Sequence, residues 1–130
     1  MEQTVTGSND VQQAVQSIVT RCDAIYIPTD NTFASAMPLV GSVVMESGTP
    51  VICGATGMVE AGGLITLGLN YYNLGYQTGE MAAQVLEGAD PASMPVQSQN
   101  QYDYVVNEEM LSALGMELPQ SLLEKMGDAA

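Results

Sequence analysis

Apolar residues recur along this chain with two alternating periods. Val11, Val15, Ile18 and Val19 fall at helical spacing, with Gln and Ser residues between them. Gly7-Ser8-Asn9-Asp10 precedes them as a turn, and Asn9 with Gln12 three residues on fits a capping box. Ala24-Ile25-Tyr26-Ile27 is then a short β-branched run that stops at Pro28 and is followed by Thr29, Asp30 and Asn31. Phe33, Met37, Val40 and Val44 restart the helical stripe. Pro38 lies inside it and predicts a kink or a broken turn, and Gly48 predicts the helix end.

The same alternation continues. Val51-Ile52-Cys53 reads as a buried strand with the exit Gly54-Ala55-Thr56-Gly57. Met58 to Ala61 makes one or two helical turns, and Leu64 to Leu69 a third strand leading to Asn70-Tyr71-Tyr72-Asn73. Leu74, Thr78, Met81, Ala82, Val85 and Leu86 share one helical face that ends at Gly88. Ala89 to Gln101, with Pro91 and Pro95, has no period and reads as a crossover between structural units. Tyr102–Val106 is a further strand, Asn107 caps a helix ended by Gly115, and Pro119 opens a last helix through Met126. With Gln3-Thr4-Val5-Thr6 as an opening extended stretch, the order predicts an α/β domain: a mainly parallel sheet flanked by helices on both faces.

In such a sheet the strand exits share one edge, where ligands bind. Three exits carry polar side chains: Thr29, Asp30 and Asn31; Ala55 and Thr56; Asn70 and Tyr71. A carboxylate there pairs with a ligand ammonium, and an asparagine amide both donates and accepts. The competing reading of Asp30 is an N-cap bonding its own helix, which is compatible with ligand contact. Tyr71 suits stacking on a ligand, whereas packing beneath a hinge is the plainer role for Tyr72. Gly54 to Gly57 lacks both phosphate-loop patterns and reads as a strand-to-helix turn.

Charge narrows the function classes. Two basic residues, Arg21 and Lys125, stand against fifteen acids, for a formal charge of −13. Nucleic-acid and anionic-membrane partners need clustered cations, so both are excluded. The chain has no histidine, which removes Ser–His–Asp and Cys–His nucleophile arrangements. Cys22 and Cys53 alone make no zinc site, and the strands place them at opposite sheet edges, beyond disulfide reach. No motif implies a cofactor or metal, and no carboxylate pair compels acid–base catalysis. The polar start Met1-Glu2-Gln3-Thr4 is no secretory signal, and no apolar run approaches the ~20 residues of a membrane span.

Two stretches carry a family resemblance. Asp10 to Ala14 followed by Asp23 to Asn31, and Leu67 to Gly79, closely resemble the substrate-binding proteins of an ABC-transporter family that includes tryptophan- and aromatic amino-acid-binding lipoproteins. Pro91–Pro95 and Tyr104 to Asn107 fit the region that follows. The resemblance implies part of a type I periplasmic-binding-protein fold, two α/β lobes joined by crossovers and closing on a ligand. Residues 1–69 would belong to the second lobe, 70–101 to a crossover and a helix of the first lobe, and 102–130 to the closing strand and helices. The rest of both lobes is expected to lie outside these residues.

The resemblance further implies an amino-acid ligand, with an aromatic one expected, in an interlobe cleft lined by Thr29, Asp30, Asn31, Thr56, Asn70 and Tyr71. It implies an ABC permease as partner and an extracytoplasmic location for the whole protein. The acidic residue this family often carries near Ala55 or Thr56 is missing here. Faces left unpaired by a partial fold are expected to favour homodimers or element exchange. The alternatives are a receiver-type signalling domain, which would need a lysine near the strand ends, or the effector domain of a transcription regulator.

Overall fold

The computed structural model describes residues 1–128. Helix α1 (Ser8–Ile18) leads to β1 (Ile25–Ile27), α2 (Asn31–Ser47), β2 (Val51–Cys53), α3 (Thr56–Glu60) and β3 (Ile65–Leu69). Helix α4 (Tyr71–Leu86), a single 3-10 turn at Pro91–Ser93, β4 (Tyr102–Val106), α5 (Glu108–Ala113) and α6 (Gln120–Asp128) complete the order. The strands form one sheet in the order β1-β2-β3-β4. The first three run parallel. Strand β4 lies antiparallel to β3, pairing Ile65 with Val106 and Leu69 with Tyr102, so the sheet is mixed.

Pleating sorts the strand residues between two faces. Ile25, Ile27, Val51, Cys53 and Thr66 point to one face and are buried. There they meet Val11 and Val15 of α1, Met37, Val40 and Val44 of α2, and Met58 and Val59 of α3. Each such apolar side chain contributes about 1.5–3 kcal/mol on burial. The opposite face carries Tyr26, Leu67 and Tyr102, which keep 65%, 52% and 48% of their surface exposed. Helical cover on both faces, expected from the α/β alternation, is therefore not met at these positions. The opening stretch Gln3–Thr6 joins no strand, and β1 is an edge strand of the sheet.

The helix ends follow local chemistry with one exception. Gly48 and Gly115 close α2 and α5 with φ of 72° and 63°, in the left-handed region that glycine enters freely. Asn107 accepts from the Met110 amide at 3.0 Å and starts α5. Helix α1 instead begins two residues earlier than the capping box expected at Asn9. Gly7 is the cap residue and makes no side-chain bond, and Asp10 reaches back to accept the Thr6 amide at 3.2 Å. Pro38 leaves α2 unbroken over its seventeen residues.

Cys22 and Cys53 are free thiols. Burial pushes the Cys53 thiol up to about 11, which keeps it neutral at physiological pH. Among the described residues, Thr66 is the buried side chain whose polar atom lacks a hydrogen-bond partner, at 1% exposed. Thr66→Val should therefore raise stability by about 1 kcal/mol, since a buried hydroxyl without a bond is a net cost. A urea-unfolding midpoint shifted upward at constant slope is the expected readout, and a downward shift would show that the hydroxyl has a structural partner.

Candidate functional site

The exits of β1, β2 and β3 lie on one edge because the three strands are parallel. Their spacing there is set by backbone contact. The Gly54 amide donates to the Ile27 carbonyl at 2.8 Å, and the Thr29 hydroxyl donates back to the Gly54 carbonyl at 2.9 Å. A Cβ on Gly54 would stand 2.5 Å from the Thr29 nitrogen, so only glycine allows the two exits to touch. Gly68 of β3 lets the start of α3 approach less tightly, its missing Cβ lying 3.0 Å from the Thr56 methyl and 3.2 Å from the Thr56 nitrogen.

A cavity of about 320 Å³ opens at this edge, lined by Thr29, Asp30, Asn31, Thr56, Glu60 and Tyr71 among others. That size falls within the range of small-molecule sites. Five of the six site residues expected from sequence thus meet in one cavity. Residues 26 and 41 positions apart in the chain, Asp30 to Thr56 and Asp30 to Tyr71, are brought together by the parallel crossovers.

Asp30 is both a helix cap and a residue of the cavity lining. Its Oδ1 accepts the Phe33 amide at 2.9 Å, capping α2, and the residue also borders the cavity. The cap fixes the carboxylate at a helix start, where the aligned peptide dipoles favour negative charge. The second carboxylate oxygen accepts no hydrogen bond from the described residues, which leaves it open to a ligand.

Asn70 does not join the cavity. Its Oδ1 caps α4 by accepting the Asn73 amide at 2.9 Å, and its Nδ2 donates to Asp103 Oδ2 at 2.8 Å. Gln99 Nε2 reaches the Asn70 carbonyl at 3.3 Å. Asn70 therefore ties the β3 exit to the connection entering β4. Asn73–Gln101 and Gln77–Gln97 amide pairs, at 2.8 and 2.7 Å, extend the same seam along α4.

Glu60 was not legible as a site residue in the sequence. It lies four positions after Thr56, one turn along the short helix α3, and that spacing is the signal that points both at the same cavity. Two carboxylates, Asp30 and Glu60, thus border the cavity, and neither Arg21 nor Lys125 does. The field favours a ligand that carries a protonated amine. Among the described residues no group of His, Cys, Asp and Glu is arranged to hold a metal ion, and no helix is long and apolar enough to cross a membrane.

Comparison with known proteins places this architecture. The model of the ABC transporter substrate binding protein family matches residues 1–129. A tyrosine-binding protein of Clostridioides difficile (strain R20291) is 38% identical over 117 residues, 90% of this chain and 34% of that protein. An L-Trp complex from Streptococcus pneumoniae matches with a TM-score of 0.84 and 38% identity, over 95% of this chain and 42% of its own. A conserved domain protein from Vibrio cholerae matches with a TM-score of 0.86 and 39% identity over the same shares. A ligand-free, open substrate-binding protein with adhesive properties from Clostridium difficile gives 0.73 and 46% over 92% and 41%. The chain thus spans about a third of the curated relative and two fifths of the solved ones. With a family match over almost its whole length and an α/β architecture shared at these identities, the chain belongs to the ABC transporter substrate-binding protein family, whose members bind solutes rather than transform them.

Proposed function

We propose that these residues supply one wall of an amino-acid site in an ABC importer's solute-binding component, with tyrosine or tryptophan as the ligand class. The observation that carries this reading is the meeting of Thr29, Asp30, Asn31, Thr56 and Tyr71 from three strand exits in one cavity. Two relatives supply the ligand class, one named for tyrosine and one solved with L-Trp. Asp30 and Glu60 would pair with the ammonium, the Asn31 amide and the Thr29 and Thr56 hydroxyls would orient the ligand, and the Tyr71 ring would stack on its side chain.

Residues 1–69 and 102–130 would then build part of one lobe. Residues 70–101 would cross over and lend α4 to the other. Helix α4 fits that role because none of its residues is buried here, with Tyr72 80% and Leu86 89% exposed. Asn70, held by Asp103 and Gln99, would act as a hinge post. The whole protein would work extracytoplasmically, as a periplasmic or lipid-anchored component, and would deliver its ligand to an ABC permease.

Enclosure between two walls supplies most of the burial a small ligand needs. Calorimetric titration with L-tyrosine and L-tryptophan is therefore to be run on this chain alone and on a form carrying the additional length of its relatives. The longer form should bind at least one of the two at least tenfold more tightly than the 130-residue chain. Absence of binding by the longer form to any aromatic amino acid would sink the assignment.

A further inference from the structure

Helix α4 buries none of its residues, so apolar packing does not fix where it starts. Its first residue is Tyr71, the one aromatic ring in the lining of the cavity of about 320 Å³. On the amino-acid reading of that cavity, we propose that Asp103 is a positioning residue for the ligand. It lies outside the cavity and acts through Asn70, holding the first turn of α4 so that the Tyr71 ring meets an aromatic ligand.

Sheet register brings Asp103 to this task. Asp103 of β4 pairs with Gly68 of β3, and directly opposed residues of an antiparallel pair share a face. Gly68 has no side chain to meet Asp103, whose carboxylate reaches instead to the diagonal neighbour, Asn70. There Asp103 Oδ2 accepts from Asn70 Nδ2 at 2.8 Å. With Nδ2 engaged, the other end of the amide faces the helix, and Oδ1 accepts the Asn73 amide at 2.9 Å. An ionised carboxylate only accepts, so Asp103 fixes which way round the Asn70 amide stands.

Two more bonds bracket the same turn. Gln99 Nε2 donates to the Asn70 carbonyl at 3.3 Å, and Asn73 Nδ2 donates to Gln101 Oε1 at 2.8 Å. Gln99 and Gln101 belong to the irregular connection, whereas Asp103 lies within the ladder of β4. Of these three partners, Asp103 is therefore the one that passes the position of the sheet to Tyr71. Stacking holds only at close ring contact, so a loosened first turn costs affinity without any lining residue being changed.

The test exchanges the pair. Asn70→Asp keeps the cap, since aspartate caps as well as asparagine, but sets two carboxylates against each other. Adding Asp103→Asn to it restores a donor facing an acceptor. In the 130-residue chain, hydrogen exchange of the Asn73 amide is followed by NMR. It should quicken at least about fivefold in Asn70→Asp and in Asp103→Ala, and return to within about twofold in the exchanged pair. In the longer form, calorimetric affinity for L-tryptophan or L-tyrosine should follow the same pattern. Asp103→Ala should cost nothing further once Tyr71→Ala is in place, because the two residues act in series.

Unchanged Asn73 exchange in Asp103→Ala, or no recovery in the exchanged pair, overturns the proposal. So does a loss of affinity from Asp103→Ala that persists beside Tyr71→Ala, which would give Asp103 another route to the ligand. Equal binding by the parent and all variants overturns the positioning role alone. A longer parent form that binds no aromatic amino acid overturns the amino-acid reading and this role with it.

Discussion

Gly62→Ala is expected to destabilise the fold by about 3–5 kcal/mol, a large share of the ~5–15 kcal/mol that holds a typical domain folded. Two independent costs meet at this position. Gly62 has φ of 141°, a conformation that other residues adopt only at a cost of about 1–3 kcal/mol. An added Cβ would also stand 2.6 Å from the Met37 carbonyl oxygen and 3.2 Å from the Gly41 Cα. Both obstacles are backbone in the middle of α2, so neither can swing aside as a side-chain tip would. Overpacking of this kind adds a further ~1–3 kcal/mol. Gly41 shows the same contact from the helix side, where its own Cβ would lie 3.0 Å from Gly62. Gly57→Ala is the control, since nothing lies within 4 Å of that Cβ and alanine favours the helix by up to ~1 kcal/mol. Urea unfolding of both variants decides it: a Gly62→Ala midpoint equal to that of the parent would refute the close-packing account.

The Gly62 contact also explains why the cavity is where it is. Helix α3 carries Thr56 and Glu60 to the cavity and has only five residues, too few to hold its own position. Its ends are held by backbone proximity, at Gly62 against α2 and at Gly68 against Thr56. Asn107 Nδ2 adds a bond to the Val59 carbonyl at 3.4 Å from the far side. Stability and site geometry therefore share the same glycines.

Much of this was legible from residue order. The three β-branched runs ending in polar residues gave the parallel strands and their common edge, because parallel strands force their exits together. Gly48, Asn107 and Gly115 marked helix ends through chemistry that acts within four residues. The antiparallel β4 was not legible, since the direction of Tyr102–Val106 depends on where the long Ala89–Gln101 connection lands. The cap of α1 was misplaced because Asp10 and Asn9 both offer oxygens, and only geometry shows that Asp10 takes the Thr6 amide. Glu60 was missed because its helix is too short to show a period. Asn70 was expected in the cavity from its place at a strand exit, yet its amide is drawn to Asp103, 33 residues away.

Asp30→Asn is expected to weaken amino-acid binding by the longer form ten- to a hundredfold or more while leaving folding nearly unchanged. The two roles of Asp30 respond differently to this change. Asparagine is as good an N-cap as aspartate, so its side-chain oxygen can keep the bond from the Phe33 amide. The stability of α2 should then move by no more than a few tenths of a kcal/mol. A ligand ammonium, however, loses a charged partner, and a hydrogen bond to a charged group is worth about 1.5–3 kcal/mol. No basic residue lines the cavity, so the loss is not offset by relief of another ion pair at the site. Asp30→Ala should remove both, adding about 1 kcal/mol of destabilisation from the lost cap to the same loss of affinity. The pair separates a binding carboxylate from a structural one. Affinity lost in the alanine variant but retained in the asparagine variant would show that Asp30 serves the cavity only by capping α2.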